Sequence, residues 1–130
     1  MSVRFKKNPS WKNLTPQNLG REGERIALNL LKTKKYKIIQ RGFRMFRGEI
    51  DIIARDGENL VFIEVKARRG SRYGYPEEYV TLSKQRQIKK IARGYVNQND
   101  ISNIPCRFDV IAVTFLDEGA EADHFEDAFT

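Results

Sequence analysis

The sequence predicts an α/β fold: a mixed central sheet flanked by helices, in the order α-β-β-β-α-β. Three observations carry this reading. Apolar residues recur with a helical period over residues 16–33 and again over 82–98. Three short strand-prone runs lie between those stretches. A further apolar run, residues 107–116, follows the second helix, and strands alternating with helices in this way build a helix-covered sheet. With 130 residues, 40% of them hydrophobic, the chain can fill one core, and residues 15–130 read as a single domain. Wholesale disorder, a collagen repeat and a disulfide scaffold are excluded.

Residues 1–14 carry Arg4, Lys6, Lys7 and Lys12 without an acid, and read as a flexible basic arm anchored by Trp11. Thr15 followed by Pro16 is a helix start, an N-cap with proline at the first helical position. On that helix Leu19, Ile26, Ala27, Leu28, Leu30 and Leu31 share one arc. Glu24 falls inside the same arc, between Leu31 and Leu28, where a carboxylate needs a partner, a metal or a wet cleft. Strands are expected at 36–40, 49–55 and 60–66, with a turn over 56–59. Residues 67–79 form a loop. Thr81 or Ser83 caps the second helix, which runs to about Gln98 with Ile88, Ile91, Ala92 and Tyr95 on its core face. A short edge element is expected at 124–129.

The net charge of +7 divides unevenly. Residues 1–107 hold all 24 basic groups against 10 acids, a balance of +14, and residues 108–130 hold seven acids and no base. A body this basic points to a polyanionic partner, most simply nucleic acid. The longest apolar runs are too short to span a bilayer, and no signal peptide heads the chain. Cys106 stands alone and reads as a small buried hydrophobe. A cytoplasmic protein without a membrane partner is expected.

Two acids sit inside strand-prone runs. The turn over 56–59 pairs Arg55 with Leu60, and in that register Asp51 opposes Glu64 and Glu49 opposes Lys66. Alternation puts all four on one face. Like charges directly opposite destabilise a hairpin, so Asp51 and Glu64 call for a cation between them. Mg²⁺ or Mn²⁺ suits two carboxylates plus phosphate oxygens, and a lysine two residues from a ligand can orient water or steady developing charge. The alternative is a cross-strand ion-pair cluster.

The runs Gly48-Glu49-Ile50-Asp51-Ile52-Ile53-Ala54 and Val61-Phe62-Ile63-Glu64-Val65-Lys66-Ala67-Arg68 resemble the small bacterial YraN-type family. That family resembles a branch of the PD-(D/E)XK nucleases, with restriction endonucleases and archaeal Holliday-junction resolvases as relatives. Gly20-x-x-Gly23-Glu24-x-x-Ala27, Arg107-Phe108-Asp109-Val110 and Ala128-Phe129 extend the match to roughly residues 18–130. The resemblance implies a restriction endonuclease-like core and metal-dependent cleavage of DNA, with branched or repair intermediates as one substrate class. It puts the metal on Asp51 and Glu64, completes the site with Glu24, and makes Lys66 the catalytic lysine. Ile50 stands where the superfamily has proline before the aspartate, and Glu49 is an additional acid.

Arg68, Arg69 and Arg72, near Tyr73 and Tyr75, are candidates for phosphate and base contacts, as are Arg44 and Arg47 and, at the start of the second helix, Lys84. Gln85 and Gln87 are possible accessories. Asp109 reads as a structural partner of a basic residue, and His124 is a poor zinc ligand for want of neighbours. Two other readings stay open: a non-catalytic nucleic-acid-binding module working with a partner protein, and a homodimer in which one copy's acidic tail meets another's basic body.

Overall fold

The Asp56–Asn59 turn sets one central hairpin in register. β3 (Gly48–Asp56) and β4 (Asn59–Arg69) pair antiparallel through Arg55↔Leu60 and on to Ile52↔Ile63, as the turn predicts. Residues 2–70 and 80–130 are described by the computed structural model; Arg72, Tyr73 and Tyr75 lie outside them.

β2 (Lys37–Met45) runs past the expected 36–40 and pairs with β3 as far as Met45↔Gly48. Its basic second half remains a strand because it lies on the sheet edge, where polar side chains stay hydrated. α1 (Pro16–Thr33) begins at the Thr15 cap, whose hydroxyl accepts the Asn18 N–H at 3.2 Å. α2 (Leu82–Gln98) crosses from β4 to a parallel β5 (Cys106–Leu116), and it is Thr81, not Ser83, that caps it. β6 (Gly119–Phe129) returns antiparallel to β5, and β1 (Ser2–Lys6) pairs antiparallel with β6. The sheet order is β1-β6-β5-β4-β3-β2. This is a mixed α/β sheet with a helix on each face.

Three expectations are corrected. Residues 2–6 are a strand rather than part of a flexible arm. Phe5 packs on the core, and Arg4 Nη2 meets Glu121 Oε1 at 2.9 Å. A short 3₁₀ turn, Pro9–Trp11, follows. There Trp11 is buried against the Phe115 ring and donates its indole N–H to Glu22 at 3.0 Å. The last strand is eleven residues long and lies inside the sheet rather than at its edge. Its acids hid it: Glu121 and Asp123 are buried, and Ser2 donates to Asp123. Cys106 is exposed at the start of β5 rather than buried.

The alternation of β4 sorts the two cores. Val61 and Ile63 face α1 with Ile52, Ile111 and Val113, whereas Leu60 and Phe62 face α2 with Ile50, Ile53, Ile91 and Tyr95. Each such side chain, once buried, contributes about 1.5–3 kcal/mol. α1 lies close to β4 because Gly23 has no side chain: a Cβ there would fall 2.7 Å from Ala67 Cβ.

Asp109, fully buried, is paired as expected. It accepts from Arg107 Nε (2.9 Å) and Nη2 (3.0 Å), from the Asp127 N–H (2.9 Å), and lies 2.8 Å from His124 Nε2. Burial alone would raise this carboxyl's pKa, but the hydrogen bonds from His124, Arg107 and Asp127 outweigh it and hold the group below its ordinary range. Arg107 also donates to Asp56 (2.9 Å) and to the Tyr36 hydroxyl (2.6 Å), tying β5 to the β3–β4 turn and to the start of β2.

Two substitutions test these anchors in urea unfolding. Gly23→Ala should destabilise by about 1–3 kcal/mol through overpacking against Ala67. Asp109→Ala, which leaves Arg107 without its buried partner, should cost about 3–5 kcal/mol.

Candidate active site

Regular pairing of β3 with β4 reaches Ile52↔Ile63, and the next step differs from the expected one. Ile50 faces α2 and Ile52 faces α1, although they are two residues apart. A strand that keeps its period would place them on one face, so β3 rotates at Asp51. The Asp51 side chain then reaches across, and its Oδ2 accepts the Val65 N–H at 2.8 Å. Asp51 and Glu64 therefore do not meet as a flat cross-strand pair. Their carboxyls come together where the two strands part, close enough for the charge of one to act on the other.

The remaining groups approach from both helices. Glu64 lies on the face of β4 that carries Leu60 and Phe62, toward α2, and Lys84 Nζ stands 3.9 Å from its Oε2. The Thr81 cap fixes that end of α2, with the Lys84 N–H donating to Thr81 Oγ1 at 3.1 Å. Glu24 enters from α1 and forms an ion pair with Arg41 Nε at 3.7 Å. Glu49 pairs with Arg44 at 3.0 Å, and Lys66 is exposed two residues beyond Glu64.

Electrostatics show how crowded the acids are. Burial raises the Glu64 pKa to about 8, and the Asp51 charge pushes the same way, while Lys84 and Lys66 oppose it. Burial likewise raises Asp51, against the Val65 N–H. Glu24 is raised by burial and then by Asp51, with Arg41 opposing. Near neutral pH the Asp51–Glu64 pair therefore holds a proton, as two carboxyls that cannot both ionise do. Such a pair offers hard oxygen donors short of positive charge, which fits a small divalent cation. Among the described residues no three acidic, histidine or cysteine side chains stand in metal-holding geometry; Glu24 is turned to Arg41.

Other sequence candidates fall elsewhere. Gln85 Nε2 donates to the Val80 carbonyl at 3.1 Å, and Gln87 packs against Gly48, so neither lines the acid cluster. Arg69 Nη2 donates to the Trp11 carbonyl at 2.7 Å and holds the N-terminal segment. Arg68 is half-buried beyond Lys66, and Arg44 and Arg47 flank the β2–β3 hairpin tip. Arg41, opposite Ile52, was the residue sequence reasoning missed. Its signal was its position on the β2 face that α1 covers.

A family model described as "Uncharacterised protein family UPF0102" matches residues 23–113. The chain belongs to UPF0102. A UPF0102 protein of Chlorobaculum tepidum is 51% identical over 120 residues, covering 88% of this chain and 93% of its own. Those of Geotalea uraniireducens (46% over 114 residues, 87% and 90%) and Thermodesulfovibrio yellowstonii (45% over 111 residues, 85% and 95%) are similar to it as well. The UPF0102 segment opens at Gly23 and contains Glu24, Arg41, Asp51, Glu64, Lys66 and Lys84, whereas β1, Trp11 and β6 lie outside it. No helix among the described residues is long and apolar enough to cross a membrane.

The raised Glu64 pKa has a thermodynamic consequence. The folded state binds a proton that the unfolded chain has released above about pH 4.5, so stability falls as pH rises from about 5 through about 8. Without divalent metal, the melting temperature should drop by roughly 10 °C or more across that range. Glu64→Gln should flatten the profile, and millimolar Mg²⁺ should restore the loss at pH 8 in the parent chain but not in that variant. A pH-independent melting temperature in the parent would refute the shared proton.

Proposed function

We propose that this UPF0102 chain is a metal-dependent endonuclease that hydrolyses phosphodiester bonds in DNA, on a restriction endonuclease-like, PD-(D/E)XK core. The observation that carries the proposal is the proximity of the Asp51 and Glu64 carboxyls, which act on each other's charge, at the parting of β3 and β4, with Lys66 two residues further on. The run α1-β2-β3-β4-α2-β5 agrees with the element order that the resemblance implies.

Asp51 and Glu64 would hold Mg²⁺ or Mn²⁺, with Glu24 as the third carboxylate. When bound, such an ion polarises a phosphate oxygen and lowers the pKa of a water. The protein's own groups do the remainder. The Lys66 ammonium, exposed beside Glu64, hydrogen-bonds the attacking water or offsets charge on the phosphate as it grows. Lys84, in the first turn of α2, offers a phosphate both its charge and the helix N-terminus. Arg41 neutralises Glu24 until another cation does. Arg44, Arg47 and Arg68 extend the basic surface along which a backbone lies.

A second reading has one observation in its favour. Lys84 and Arg41 already lean on Glu64 and Glu24, so the acids are partly compensated within the protein. That suits a nucleic-acid-binding module acting with a partner protein.

Incubation with single-stranded, duplex and branched DNA in Mg²⁺ or Mn²⁺ separates the two. Metal-dependent cleavage is expected, reduced roughly 100-fold or more by Asp51→Asn, Glu64→Gln or Lys66→Ala. Cleavage that persists in Asp51→Asn would remove the proposed site, and salt-sensitive binding without turnover would favour the second reading.

A further inference from the structure

The hairpin between β2 and β3 turns through two residues, Phe46 and Arg47, with φ of 52° and 60°. Two-residue turns of this hand favour Asn-Gly or Asp-Gly, because side chains strain the left-handed backbone. A bulky aromatic there is a costly choice. Phe46 is nevertheless 52% exposed, while the other seven phenylalanines are buried or half-buried.

The tip is firmly placed. A Cβ on Gly94 would fall 2.1 Å from Met45 Sδ and 3.0 Å from Phe46 Cε2, so that glycine is what lets the hairpin lie on α2. Lys90 Nζ stands 4.8 Å from the Phe46 ring centre. Arg44 and Arg47 are exposed on either side, and with Met45, Gly48 and Glu49 they line a groove of about 420 Å³. Its lining ends at Glu49, two residues before Asp51.

An exposed ring among three cations suits a ligand that is both polyanionic and flat. We propose that Phe46 is a base-stacking subsite, taking an unpaired base of a strand whose phosphates are held by Arg44, Arg47 and Lys90. Bases within continuous duplex are covered by their neighbours, so the subsite selects single-stranded segments. This rests on the reading of the carboxylate site as one that acts on DNA, and it names what that site selects. Asp51 lies five residues after Phe46, at most roughly 17 Å of extended chain, or about five stacked nucleotides. Cleavage should fall at about that distance from the stacked base.

The test is binding, in EDTA and low salt, of an oligothymidylate of about 20 nucleotides and of a blunt-ended duplex of similar length. Phe46→Ala and Phe46→Leu should weaken single-strand binding about 5- to 100-fold and leave duplex binding within about twofold. The leucine keeps apolar bulk against Gly94 but has no aromatic face. Phe46→Trp should bind like the parent, and its new emission should be quenched by the oligothymidylate but not by the duplex. Parent-like single-strand binding by Phe46→Leu, equal loss for both DNAs, or no binding of either DNA would overturn the subsite. Because no metal is present, a chain that stacks but never cleaves refutes the nuclease reading alone. One that cleaves normally as Phe46→Leu refutes the subsite alone.

Discussion

Two carboxyls meet where water is scarce, and the local architecture answers to that proximity. Asp51 and Glu64 cannot both ionise at such a distance without help. The help comes from every side: the Val65 N–H beneath Asp51, Lys84 from α2, and Lys66 along the strand. The secondary acids are compensated as well, Glu24 by Arg41 and Glu49 by Arg44. The geometry that brings these groups together depends on two local features. β3 rotates at Asp51, and α1 comes close enough to β4, over Ala67, to present Glu24. Remove either feature and the acids disperse.

The charge asymmetry takes a second meaning in three dimensions. The acidic final segment and the basic first segment are neighbouring strands, with Arg4 on Glu121 and Ser2 on Asp123. Part of the acidic tail is thus matched inside the chain, and the basic surface beyond β1 keeps its excess. Arg44 and Arg47 at the β2–β3 tip and Lys84 at the start of α2 belong to that basic surface.

What could be read from sequence follows a physical divide. The register of β3 and β4 was legible because a four-residue turn fixes which residues oppose. The place of Glu24 was legible because a helical wheel registers a carboxylate among leucines. The rotation at Asp51 was not, since a period of two has no provision for a side chain standing in as a hydrogen-bond acceptor. β1 and β6 were hidden for another reason: β1 takes its partner from the far end of the chain, and β6 carries β1 on the side away from β5. Their polar residues read as solvated until Glu121 and Asp123 are seen against β1. Asp109 was the converse case, a lone acid in an apolar strand whose need for a cation was plain before Arg107 was seen to supply it.

The distances in sequence that Arg107 and its neighbours bridge also govern how the molecule can be made. Tyr36 waits for Arg107, Lys34 for His124, and β1 for β6. On a ribosome adding about 5–20 residues per second, the segment bearing Glu24, Asp51, Glu64 and Lys66 emerges roughly 3–13 s before β6 is complete. In the first part of that interval the acid pair lacks Lys84, and until β5 is made β4 lacks its parallel neighbour. The nascent chain thus carries the donors of its site before it has the scaffold to seat them, and β1 finds its place on the sheet only once β6 is made.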